Sequence, residues 1–162
     1  MKNAIHFFIL ALTMCVVLTS CKKDKEDEPT TPSTTTSIKG NVAAPSWAVS
    51  EDYDMSSSMT VTTQVDLSLT YPDQVKSTKW TVSSDDLLAA FDGENCIGLA
   101  KPTDGMFYLY VTAPKSGSAV TLKYYSASLK NLFKADETLV YSNDAIIGSV
   151  AEPYAPNWKV GK

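Results

Sequence analysis

The 162-residue chain has no arginine: all 14 of its basic residues are lysine, set against 18 acids. Proteins that read nucleic acid use a basic face and arginine forks to guanine or phosphate. An arginine-free chain of net charge −4 is therefore not a nucleic-acid binder. Histidine is nearly missing, with His6 alone, and cysteine is limited to Cys15, Cys21 and Cys96. No long amphipathic helix can be read, and the longest apolar run, Ala4 to Leu18, is shorter than the ~20 residues of a membrane span.

That run does have another pattern. Lys2 supplies a positive start, the apolar stretch follows, and Leu18-Thr19-Ser20-Cys21 closes it, as in a secretory signal ending in a lipobox. The segment resembles bacterial lipoprotein precursors. The resemblance implies that residues 1–20 are cleaved, that Cys21 receives a diacylglyceryl group and that its new amine is acylated, as by palmitate. Two or three chains, at ~0.8 kcal/mol per buried methylene, anchor a protein stably.

Cleavage would leave 13 lysines against 18 acids, a net −5, and no histidine. Ser-His-Asp and Cys-His catalysis would then lack their proton acceptor, and Cys/His zinc sites would lack ligands. Cys96 would have no partner for an intramolecular disulfide. The single Ser-x-x-Lys match, Ser20 to Lys23, would be split. Carboxylate, tyrosine, lysine and hydroxyl chemistry remain.

Residues 21–37 read as a lipidated cysteine and flexible linker, charged from Lys22 to Glu28 and then rich in Thr, Ser and Pro. The acidic run resembles surface-export signals of lipoproteins in the Bacteroides group of Gram-negative bacteria. It implies a lipid-anchored outer-membrane protein facing outward, with the periplasmic face as the alternative.

From residue 38 to 162 the hydrophobic period is two. Met59 to Leu69 alternates as one half-buried strand, with Met59, Val61, Val65, Leu67 and Leu69 on one face. A weaker strand is expected over Val75–Val82, carrying Trp80. Met106–Ala113 and Ser118–Tyr125 flank Pro114-Lys115-Ser116-Gly117 and read as a hairpin. Its register sets Val111 opposite Val120, Leu109 opposite Leu122 and Phe107 opposite Tyr124. Leu87–Phe91 and Cys96–Ala100 form a second hairpin, pairing Phe91 with Cys96 and Leu88 with Leu99; a helical turn near Asp86 is the alternative for its start. Short strands are expected at Leu129–Phe133, Leu139–Tyr141 and Ile146–Val150, before an extended tail. The pattern predicts a single all-β domain, an Ig-like, Greek-key β-sandwich.

The run Ala89-Ala90-Phe91-x-Gly93-x-x-Cys96-x-Gly98 is followed by Val120-Thr121-x-Lys123-x-Tyr125 and Gly148-Ser149-x-x-Glu152-Pro153, and preceded by Met59-x-Val61. This order resembles a β-sandwich repeat domain of secreted and surface proteins in the Bacteroides group, departing from it at Ile97, where that family usually carries arginine. The resemblance implies fold and location, and no general activity.

Cys96 reads as a buried, inert thiol. Asp92, Glu94 and Asn95, and also Glu51, Asp52 and Asp54, offer oxygens to Ca²⁺ without the spaced ligands of a dedicated loop, so they read as solvated acidic turns with no cofactor. On the hairpin register Tyr108, Tyr110, Tyr125 and Lys123 share one face, the candidate ligand surface for a glycan or a surface protein; packing against neighbouring strands is the alternative. Trp47 and Trp158 read as core anchors or lids. The expected function is a non-enzymatic binding or adhesion module. The alternatives are a structural accessory subunit of an outer-membrane assembly and, further off, a small carboxylate hydrolase.

Overall fold

The computed structural model describes residues 36–161. The leader, Cys21 and most of the linker lie outside the described residues. The strands are β1 (Ser58–Thr63), β2 (Leu87–Asp92), β3 (Asn95–Ala100), β4 (Pro102–Thr103), β5 (Met106–Thr112), β6 (Ala119–Ser126), β7 (Asn131–Val140), β8 (Ile146–Ile147) and β9 (Trp158–Val160), and the helix α1 spans Pro72–Thr78. They form two sheets, in the order β4-β5-β1-β8 and β3-β2-β6-β7-β9. With β1 to β7 in the places of B, C, C′, D, E, F and G, this is the immunoglobulin-like Greek-key sandwich. The outermost place beside B is filled by β8, a late strand that runs parallel to β1.

The inner faces are the ones the alternation marks. Val61, Phe107, Leu109 and Val111 of the first sheet and Leu88, Leu122, Tyr124 and Phe133 of the second are buried in one core with Trp158. Tyr124 lies at its centre, its ring 5.9 Å from Phe107 and Phe133 and 5.8 Å from Trp158. Its hydroxyl donates to Asp86, whose carboxylate also accepts the amides of Ser83 and Ala127. Burial first, then the Asp86 charge, raises the phenol's pKa. Asp86 thus ties the start of β2 to the β6–β7 connection, and its own amide donates to the Ser83 carbonyl (3.0 Å), closing a single turn ahead of the strand.

The expected hairpin of β5 and β6 is overturned. β5 pairs with β1 and β4, and β6 with β2 and β7, so residues 113–118 carry the chain from one sheet to the other. Phe107 does meet Tyr124, but across the core instead of along a ladder. The crossing is held by Asp92. Its carboxylate accepts the amides of Lys115 (2.7 Å) and Ser116 (3.1 Å), the Ser116 hydroxyl and the Tyr53 hydroxyl (2.9 Å).

Other boundaries also shift. β1 stops at Thr63, where its partner β5 runs out into the Asp104-Gly105 turn, both residues at positive φ as a type I′ turn needs. Asp66 then caps a 3₁₀ turn over Leu67–Leu69 through the Ser68 amide, which leaves Leu69 exposed. Val75 lies in α1 and not in a strand: Pro72 sits at its start, Asp73 in its first turn, and Lys79 ends it in the left-handed region. The β2–β3 hairpin pairs Phe91 with Cys96 as read, but a bulge after Ala90 sets Leu88 opposite Ala100. β7 is one ten-residue strand where two short ones were expected, and the tail adds β9 as an edge strand with Trp158 fully buried.

Candidate functional site

The sandwich has two outer faces, and they differ. On the second sheet Ala89, Phe91 and Cys96 point away from the main core and are buried nonetheless. Residues 38–50 run over them as a strap. Ile38 is buried in the main core, Gly40 and Val42 donate to the carbonyls of Leu129 and Lys130, and Ser50 donates to that of Cys96. Trp47 sets its ring edge-on to Phe91, with centroids 5.5 Å apart. The Cys96 thiol lies in this satellite core, and burial raises its pKa. That agrees with its reading as an inert thiol.

Lys123 and Tyr125 belong to this covered face. The Lys123 ammonium sits 4.3 Å from the Phe91 ring centre and 3.6 Å from the Glu94 carboxylate. Tyr125 is 5% exposed, and its hydroxyl donates to the Val42 carbonyl. The four-residue ligand surface is therefore corrected: crossing from β5 to β6 changes sheets, so Tyr108 and Tyr110 stand on the opposite side of the molecule from Lys123 and Tyr125.

The first sheet's outer face is open. Tyr108 and Tyr110 are 47% and 48% exposed, beside Thr62 and Thr60, and Thr60 in turn lies next to Ile146, 79% exposed. Successive outward side chains on a strand are about 7 Å apart, so the two rings form adjacent plates. Tyr110 donates weakly to the Met55 carbonyl (3.4 Å), with Met55 also exposed beside it. None of Thr60, Thr62, Met106, Tyr108, Tyr110 and Ile146 carries a charge. Thr62 itself is buried, so such a surface can stack on apolar ring faces and hydrogen-bond through the two phenols and Thr60.

No family model, curated protein or solved structure matches the chain. The site accordingly rests on geometry.

Both calcium clusters look different in three dimensions. Asp92 is 2% exposed, so it is no solvated turn residue. Burial pushes its carboxyl up, but the Ser116 and Lys115 amides, the Tyr53 hydroxyl and the Lys115 charge outweigh this and hold the pKa below its usual value. Burial and the Asp92 bond raise the Tyr53 phenol. Asp54 caps Ser56 through its amide and hydroxyl. Among the described residues no group of three or more His, Cys, Asp or Glu is placed to hold a metal ion.

The sequence reading overlooked one feature, a groove of about 470 Å³ beside Trp80, lined by Gln64, Val65, Asp66, Ser68, Val75 and Val82 among others. Reading Val75–Val82 as a strand hid it, because a strand leaves no concavity between Trp80 and Asp66.

Proposed function

We propose that this is a lipid-anchored, non-enzymatic binding module of the outer-membrane surface that engages a glycan or another surface protein through Tyr108 and Tyr110. The observation that carries the reading is the asymmetry of the two outer faces. The chain spends its own segment 38–50 to cover one, and leaves the other with two half-exposed tyrosines. Stacking on aromatic rings is tolerant of ligand detail. Each ring contributes about 0.5–1.5 kcal/mol beyond area burial, so single sites are weak and many anchored copies act together. The proposed anchor is Cys21, on a linker reaching the domain near Ile38.

The test compares cells carrying the wild type, Cys21→Ser and Tyr108→Ala/Tyr110→Ala. The wild type should fractionate with membranes, be accessible to antibody on intact cells and bind on a glycan array or to a surface-protein partner. Cys21→Ser should move the folded protein to the soluble fraction. The tyrosine variant should stay anchored with unchanged melting and lose binding. Membrane retention of Cys21→Ser overturns the anchor; equal binding by wild type and tyrosine variant overturns the face. A folded, anchored protein that binds nothing but co-purifies stoichiometrically with an outer-membrane assembly supports the accessory-subunit reading instead.

A further inference from the structure

The tyrosine face continues past Tyr108. The ladder pairs Thr60 with Tyr110, Thr62 with Tyr108 and Thr63 with Phe107. The ladder ends there, and the Gln64 amide donates to the Tyr154 carbonyl (3.3 Å). The chain stays extended at Asp66, with φ −127° and ψ 103°. Beyond the buried Thr62, Gln64, two residues on from the partner of Tyr108, and Asp66 line the groove beside Trp80, which Gly105 at the foot of β5 also lines.

The groove is built for a particular chemistry. Its volume of about 470 Å³ falls within the roughly 300–1,000 Å³ typical of small-molecule sites. Trp80 supplies an aromatic wall that is already fixed: its indole N–H donates to the Ser126 hydroxyl at 3.0 Å, and its ring packs edge-on to Tyr124. Val75 and Val82 extend the apolar side. The polar lining includes Gln64 and Asp66. Asp66 uses Oδ1 for the Ser68 amide and hydroxyl, and among the described residues neither its Oδ2 nor the Gln64 side chain has a protein partner. Among the described residues no lysine lines the groove, so an anion would meet Asp66 without compensation. One aromatic wall is no cage for a quaternary ammonium. An apolar ring face with hydroxyls around its edge fits this lining, with the indole for the face and the carboxamide and carboxylate for the hydroxyls.

We infer that groove and tyrosine face form one track for a neutral oligosaccharide, with one sugar ring against Trp80 and hydrogen-bonded to Gln64 and Asp66, and the following rings on Tyr108 and Tyr110. This rests on the binding face proposed above and names its ligand class.

The experiment uses the full mature chain in detergent micelles. The probes are neutral gluco-, manno- and xylo-oligosaccharides, as disaccharides and hexasaccharides, followed by calorimetry and tryptophan emission. A hexasaccharide should bind at least tenfold more tightly than its disaccharide and change an emission component absent from Trp80→Phe. Gln64→Ala and Asp66→Asn, the second of which keeps the cap, should each weaken it about tenfold with unchanged melting, as expected for a lost charge-assisted or neutral hydrogen bond. Tyr108→Ala/Tyr110→Ala should remove the preference for length. If only the tyrosine variant loses binding and Trp80 emission is silent, the groove is refuted while the face stands. If only the groove variants lose it, the continuous track is refuted. Binding of choline or of an anionic saccharide in the groove overturns the ligand class. Binding of a protein alone through the tyrosines overturns the saccharide and keeps the face, and no binding by any probe overturns both.

Discussion

Replacing Asp92 by asparagine tests how the chain turns from one sheet to the other. The carboxylate accepts from two backbone amides, a serine hydroxyl and a tyrosine hydroxyl, three of these from the Lys115-Ser116 crossing. An asparagine keeps one acceptor oxygen and turns an NH₂ toward groups that are themselves donors. Hydrogen bonds to a charged group contribute about 1.5–3 kcal/mol each. Lys115 and Ser116 are exposed, however, so water recovers part of the loss, and the neutral side chain is cheaper to bury. The net expectation is a destabilisation of about 2–4 kcal/mol at neutral pH. The pH dependence makes the test specific. The folded pKa lies below the ordinary value of 3.8. The carboxylate's contribution is therefore complete above that value and lost as pH falls through the depressed folded one. Urea unfolding of the mature chain, at neutral pH and in steps down to strong acid, should show the wild type losing stability over that window and the variant lacking that component, with m unchanged. A loss below about 1 kcal/mol, or parallel pH profiles for the two proteins, would refute the assignment of Asp92 as the clamp on the crossing.

Two further substitutions probe the sandwich. Leu109→Ala should cost about 2–5 kcal/mol in chemical denaturation, because a fully buried side chain leaves a cavity, whereas Tyr108→Ala, one residue away on the open face, should cost less than about 1 kcal/mol; comparable losses would mean that the face is covered. Gly98→Ala should cost about 1–3 kcal/mol, since a Cβ there would come within 2.7 Å of the Tyr110 carbonyl, where β3 and β5 of opposite sheets approach. An unchanged melting temperature would show that this seam opens freely.

Side-chain direction within a strand is a local property, and here the sequence alone was sufficient. Alternation assigned Phe107, Leu109 and Val111, and likewise Val120, Leu122 and Tyr124, to the buried side, because successive side chains on extended backbone must point to opposite faces. The Phe91–Cys96 pairing was also legible, since a turn of two residues leaves little freedom in what its arms meet. Strand partnership is not local. The same in-and-out pattern around Pro114–Gly117 is satisfied by a hairpin or by a crossing between sheets, as Phe107 faces Tyr124 in both. The choice falls to distant groups: β1 occupies the edge of β5, β2 and β7 occupy those of β6, and Asp92 holds the connection. Helix α1 and the 3₁₀ turn escaped notice for a related reason. Val75 and Leu67 fit a two-residue period as well as a helical one, and the end of β5 decides that β1 stops at Thr63. The candidate surface divides along the same line. That Tyr108 and Tyr110 point away from the core follows from their neighbours in sequence; that Tyr125 and Lys123 lie on the other side, under a strap, and that a groove opens beside Trp80, follows only from how the two sheets are joined.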